Sequence, residues 1–252
     1  MKTLNEINKH VLKYAAETGC SNDIHLNDFI FQFLINNESF DAIESAVRYY
    51  FYDGKNSAKQ LEKLLIELKK DINTTTILEF ASGYGCVTRH IANIFPKNNI
   101  RSCDIHKEAC SLIEETLHIQ TTLSQKKPED FMCDQKFDVI FALSFFSHMP
   151  ERTWKFWVGK LLENLEPNGV LIFTTQGLQS AKYFNNPELS EEGFWFKADS
   201  EQKDLDSNEY GQTIVTSKYV NSCIESIGSK YRVQCKESFW WGHQDLYIIS
   251  QD

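Results

Sequence analysis

The chain has 252 residues, 42% hydrophobic and 24% charged, which suits one globular domain of ordinary size with a small extension. A formal charge of −9 excludes a broad electrostatic footprint for phosphate backbones, and the densest basic pairs, Lys69-Lys70 and Lys126-Lys127, each lie near carboxylates. The seven cysteines never fall at C-x-x-C spacing and no apolar run approaches membrane-spanning length, so the expectation is a cytoplasmic protein with no zinc site, no disulfide framework and no nucleic-acid or membrane partner.

In chain order, residues 1–72 read as helical, with apolar residues at helical spacing over about 4–16, 26–35, 40–52 and 57–70. Asp53-Gly54 predicts a stop, and Asn56 or Ser57 an N-cap for the last of these helices. This stretch is expected to form an N-terminal helical extension that caps a pocket. From Asn73 onward, short β-branched and aromatic runs alternate with helical patterns: TTILEF, a helix through Ile94, NIRSCDI, another helix and IQTTL. FDVIFAL, a helix over 152–165, a turn at Pro167-Asn168-Gly169 and GVLIFTT continue the alternation, which predicts an α/β fold with a mostly parallel sheet and helices on both faces. Residues 177–211 lack periodicity and read as an irregular lid inserted into the 73–252 domain. A helix over 217–227 and the strands YRVQCKESF and LYIIS end the chain.

The strongest local signal is Ile77 to Gly85, where an apolar strand runs into a small, glycine-containing turn and then a helix. Glycines let a ligand approach the backbone, and the helix start offers N–H groups to a carboxylate or phosphate; without a ligand, the same pattern is a tight strand-to-helix turn. Asp104 ends the next strand, where an acid can accept both hydroxyls of a ribose or, alternatively, open the following helix. A dinucleotide fingerprint wants a small residue where Thr88 stands. Glu79, just before the turn, is awkward beside a pyrophosphate but suits a ligand carrying an ammonium group.

The segment E-x-A-x-G-x-G resembles motif I of the class I S-adenosylmethionine-dependent methyltransferases, with Ala81 in place of the family's first glycine. FDVIFALSFFSHMPE resembles that family's fourth strand and following loop, and LLENLEPNGVLIFTT its helix, turn and fifth strand. The resemblance implies a Rossmann-like seven-stranded sheet whose last strand is antiparallel, with S-adenosyl-L-methionine as cofactor. It implies that Glu79, Ala81, Ser82, Gly83 and Gly85 hold the methionine part, that Asp104 holds the ribose, and that Ile105, His106 and Leu143 lie around the adenosine. No metal is implied.

Ligands of such sheets sit at the carboxyl ends of the parallel strands, so those tips are expected to form the pocket rim. An antiparallel last strand would start at the same rim and bring Trp240, Trp241, His243 and Asp245 to it. His243 and Asp245 are candidates for acceptor binding or general-base work, or else polar residues leading into a strand. His148, after the fourth strand, reaches the rim as a catalytic group or a helix cap. Trp240 and Trp241 either stack on an acceptor or cover the core, while Phe194, Trp195 and Tyr210 are the expected inward faces of the lid. FTT-x-G, a lid ending in EYG and the final WWGHQD together resemble a subset of bacterial methyltransferases found alongside glycan-modifying enzymes, and that resemblance implies methyl transfer to a hydroxyl, less readily an amine, of a small polar metabolite or glycan. A protein or RNA acceptor, a non-catalytic cofactor-binding protein and a nicotinamide-dependent oxidoreductase are the alternatives.

Overall fold

A computed structural model describes residues 4–200 and 202–251, which form two compact units that divide between Leu123 and Ser124. In the first unit, α1 (Leu4–Thr18), α2 (Phe29–Asn36) and α3 (Ile43–Glu67) precede β1 (Ile77–Phe80), α4 (Thr88–Ile91), β2 (Ile100–Asp104), α5 (Lys107–Leu112) and β3 (Gln120–Leu123). The three strands run parallel, with Ile77 opposite Ile100 and Arg101 opposite Gln120. All four residues of β1 are buried, as a strand covered on both faces requires. On α1 the buried residues Val11, Tyr14, Ala15 and Thr18 recur at helical spacing, and the first three share a cluster with Phe31, Leu34, Val47, Tyr50 and Phe51. Burying one such large side chain contributes about 1.5–3 kcal/mol, so the N-terminal helices have a core of their own.

Two expectations for this unit are corrected. The predicted break at Asp53-Gly54 does not occur, nor does the N-cap at Asn56 or Ser57: α3 runs unbroken for 25 residues. Gly54 is there because the helix packs against the backbone after β1, where a Cβ on Gly54 would strike the Cys86 carbonyl oxygen. The predicted helix through Ile94 is regular only over Thr88–Ile91 and continues as tight turns to Phe95.

The second unit holds β4 (Phe137–Ala142), α6 (Glu151–Glu163), β5 (Leu165–Gln176), β6 (Phe194–Lys197), β7 (Gln212–Val215), α7 (Ser217–Ile227), β8 (Tyr231–Trp240) and β9 (Gln244–Gln251). β4 and β5 are parallel, and β9 runs antiparallel to β5 from Val170 opposite Ser250 to Gln176 opposite Gln244. β8 pairs antiparallel with β9. Thr216 caps α7 by accepting a hydrogen bond from the Tyr219 amide, which fixes that helix start where the sequence predicts it.

The described residues hold nine strands rather than the seven expected. The extra two are β6 and β7, an antiparallel pair built from the middle of the stretch read as irregular and the residues just after it. β7 joins the sheet beside β5 through Gln176 opposite Ile214. Pro167-Asn168-Gly169, expected as a turn before the strand, lies within β5, where Asn168 has φ +64° and the register against β4 shifts between Phe137 and Val139. No helix among the described residues is long and apolar enough to cross a membrane.

Candidate functional site

In the first unit the turn after β1 reverses direction through left-handed residues: Ala81 at φ +58°, Gly83 at +56° and Gly85 at +79°. Such angles cost an L-residue with a side chain roughly 1–2 kcal/mol, so Ala81 carries strain that the family's glycine avoids. A Cβ on Gly83 would meet nothing within 4 Å, which leaves open space over the loop. A Cβ on Gly85 would press on Ile113 at 3.3 Å, so that glycine serves close packing as well.

Asp104, at the end of β2, is brought onto this turn. Its Oδ2 accepts a hydrogen bond from the Gly83 amide at 2.8 Å, and its Oδ1 accepts from the His106 amide at 2.9 Å and faces His106 Nδ1 at 2.8 Å. The Ser82 amide donates to the Cys103 carbonyl, and the Ser102 hydroxyl donates to the Ser82 hydroxyl at 2.6 Å. Thus Ser82, Gly83, Gly85 and Asp104 form one hydrogen-bonded constellation, with Ile105 half-buried beside it.

Glu79 is 3% exposed, and its Oε2 has no hydrogen-bond partner. Burial, only partly offset by the nearby Thr88 hydroxyl and reinforced by the charge of Asp104, pushes its carboxyl up to about 8. An orphaned carboxylate oxygen next to a glycine loop with open space fits the ammonium end of S-adenosylmethionine. The acid that pins the loop has lone pairs suited to a ribose. These residues fit the cofactor.

In the second unit Leu143 is half-buried at the end of β4, and Ser144 follows at φ +62°. The Ser144 amide donates to Thr174 Oγ1, and its hydroxyl lies 3.0 Å from both Ser147 Oγ and Gln244 Nε2. Gln176 Nε2 donates to Gln212 Oε1. Gln244 Oε1 and Thr175 Oγ1 are buried without partners. This amide and hydroxyl network escapes sequence reasoning, because glutamines and serines on separate strands have no spacing to betray them.

His148 Nδ1 lies 2.8 Å from the Gly211 carbonyl oxygen, which can only accept, so the proton sits on Nδ1 and Nε2 keeps its lone pair. Burial pushes the imidazole down to about 4, and the ring stacks on Tyr210 with centroids 4.4 Å apart. His243, held by the Ser180 hydroxyl at 3.2 Å, stacks on Trp241, and burial with the Lys182 charge lowers its pKa. Trp241 is 39% exposed, whereas Trp240 is buried against Phe141. Asp245 is buried, accepts from the Ser238 amide at 2.8 Å, and fills the place that a side chain on Gly177 would need; burial raises its pKa. Trp195 is half-buried on β6 against Phe184, and Phe194 is buried against Tyr219.

Residues 78–171 match a family model described as a methyltransferase domain. A malonyl-[acyl-carrier protein] O-methyltransferase of Halalkalibacterium halodurans is 28% identical over 141 residues, 51% of this chain and 51% of that protein. One of the same name from Bacillus cereus is 25% identical over 136 residues, 53% of this chain and 50% of that protein. The chain therefore spans about half the length of the curated relatives it matches.

Among solved structures, an S-adenosylmethionine-dependent methyltransferase from Clostridium acetobutylicum superposes with a TM-score of 0.57 at 12% identity, covering 80% of this chain and 92% of that one. The DhpI–SAH complex does so with a TM-score of 0.55 at 14% identity over 99% and 98% of the two chains. Residues 78–171 thus match a methyltransferase-domain model, and the chain shares the Rossmann-like fold of these S-adenosylmethionine-dependent methyltransferase structures.

Proposed function

We propose that this chain transfers a methyl group from S-adenosylmethionine to a hydroxyl, less readily an amine, of a small polar metabolite or glycan. The observation that carries the cofactor half is the joined arrangement of Glu79, the Ala81–Gly85 turn and Asp104, with an orphaned carboxylate oxygen at one end and a ribose-type acid at the other. Bound there, the cofactor supplies a methyl already activated by its sulfonium. The protein's part is then to orient the acceptor, exclude water and receive a proton.

For the acceptor, the second unit offers neutral chemistry. Its buried polar side chains are Ser, Thr and Gln with one carboxyl, Asp245, and no Lys or Arg among the described residues. A carboxylate acceptor would need a buried cation or comparable donors to offset its desolvation, whereas a hydroxyl or amine is satisfied by amides and hydroxyls. His148 supplies the proton acceptor. So weak a base orients the attacking O–H through Nε2 and takes the proton only as the new carbon–oxygen bond forms and the oxygen becomes acidic. His243, Asp245, Trp195, Tyr210, Trp240 and Trp241 are proposed around the acceptor, with Trp241 as the exposed stacking face.

The test is release of S-adenosylhomocysteine with three acceptor panels: neutral glycosides and polyols, small amines, and malonyl thioesters as suggested by the curated relatives' names. Turnover with the first or second panel is expected. Turnover confined to malonyl thioesters would overturn the neutral-acceptor reading.

A further inference from the structure

Residues 19–28, which connect α1 to α2, are tied at almost every second position to the elements that carry the cofactor residues. The Gly19 carbonyl accepts from Asn93 Nδ2 at 2.8 Å, and the Ser21 and Asp23 carbonyls accept from Arg89 Nη1 at 2.9 and 3.2 Å. The His25 ring stacks on Tyr84, centroids 5.0 Å apart and planes 13° from parallel, and Asn27 Nδ2 donates to Glu108 Oε2 at 2.7 Å. Asp28 caps α2 and accepts from the Tyr50 hydroxyl at 2.6 Å.

Arg89 is the hub of these ties. Its guanidinium is buried and has five N–H donors. Nε donates to the Gly85 carbonyl at 2.9 Å, Nη1 to Ser21 and Asp23, and Nη2 to the Tyr84 carbonyl at 3.3 Å and to the Tyr50 hydroxyl oxygen at 3.4 Å. The Tyr50 proton then goes on to Asp28, so the one buried cation of this network reaches a buried carboxyl through a hydroxyl relay. Tyr84 and Gly85 belong to the turn after β1. In a trans peptide the C=O and N–H point in opposite directions, so pinning these two carbonyls on Arg89 turns the Gly85 and Cys86 amides away from the guanidinium. Lysine, with three donors on a single nitrogen, cannot reproduce the fork.

We infer that Arg89 is a positioning residue for cofactor binding, and that through it the 19–28 connector is ordered together with the cofactor loop. This rests on the proposed use of S-adenosylmethionine. Binding to a loop held in this way stabilises the connector, and loosening the connector weakens binding, because linkage is reciprocal.

The experiment combines hydrogen exchange with calorimetry, using S-adenosylhomocysteine as the probe. In the wild type, the probe is expected to protect amides of 21–28 along with those of 82–88; protection confined to 82–88 would overturn the inference. Arg89→Lys is expected to weaken binding about tenfold or more, and Tyr50→Phe about threefold or more. A purely structural role would lower the melting temperature of Tyr50→Phe and leave its Kd unchanged well below that temperature, which would overturn the inference. Should Arg89→Lys fail to fold, Tyr50→Phe decides alone. Failure of the wild type to bind the probe would overturn the cofactor reading; the connector would then be judged by exchange in the ligand-free protein, where Tyr50→Phe is expected to speed exchange across 82–88 and equal rates would overturn the coupling.

Discussion

The two compact units carry their candidate residues in different ways. In the first, the groups assigned to the cofactor are locked by backbone: Asp104 on the Gly83 amide, Ser82 on the Cys103 carbonyl, Arg89 on four carbonyls. In the second, the groups assigned to the acceptor add ring and side-chain contacts, such as His148 on Tyr210 and His243 on Trp241 and Ser180, to single backbone ties of His148 to the Gly211 carbonyl and Asp245 to the Ser238 amide. Backbone-fixed geometry suits a ligand that never changes. Side-chain geometry can be altered one residue at a time without disturbing the sheet, which suits a partner that differs from one enzyme to the next.

The sharpest way to break this division is to remove its central acid. Asp104→Ala deletes charge-assisted hydrogen bonds to a ribose as well as the tie to Gly83, and is expected to cost about 3 kcal/mol, or about a hundredfold in S-adenosylhomocysteine affinity by calorimetry. An unchanged Kd would show that the acid only pins the loop. In the other unit, His148→Gln is expected to lower turnover about a hundredfold while leaving that affinity unchanged. Because desolvation pushes the imidazole down to about 4, turnover should not fall with a His148 ionisation between pH 8 and 6; a step near 6.5 abolished by the substitution would contradict its neutral state.

Gly54→Ala sets two effects against each other. Alanine favours a helix interior by about 1 kcal/mol, but its Cβ would strike the Cys86 carbonyl, and overpacking costs about 1–3 kcal/mol. Since the obstruction is backbone, net destabilisation is expected in a denaturant titration, with cofactor affinity falling as the Cys86 segment shifts.

The smallest effect is a pH dependence. Glu79 is raised in the free protein to about 8, above its ordinary value of 4.5, so the stability it allows is fully present below the ordinary value and is lost as pH rises through about 8. An ammonium ligand favours the ionised carboxyl, so binding releases a proton and affinity strengthens with pH, by at most about tenfold per unit up to about 8. Calorimetry in two buffers of different ionisation enthalpy measures that proton; pH-independent affinity would show that Glu79 does not face the ammonium.

What could be read from sequence follows the same division. The helix at Ser217–Ile227 was legible because its apolar spacing is local, and the glycine turn and Asp104 were legible because one short strand–turn–helix–strand unit carries them all. Gly54 was not, since a glycine that ends a helix and one that admits a neighbouring backbone look alike until the neighbour is known. The β6 strand was hidden because Phe194–Lys197 is short and its pairing partner lies beyond a long loop. Arg89 was hidden because its partners are mostly carbonyl oxygens, which any residue supplies.

The central claim is that the turn after β1 and Asp104 hold S-adenosylmethionine. Titration calorimetry of the wild-type protein with S-adenosylhomocysteine, with NAD as the control ligand, tests it most directly. One site per chain with micromolar affinity, and no heat from NAD, is the result expected. No binding of S-adenosylhomocysteine, or displacement of it by NAD, would contradict the claim and leave the chain with the fold alone.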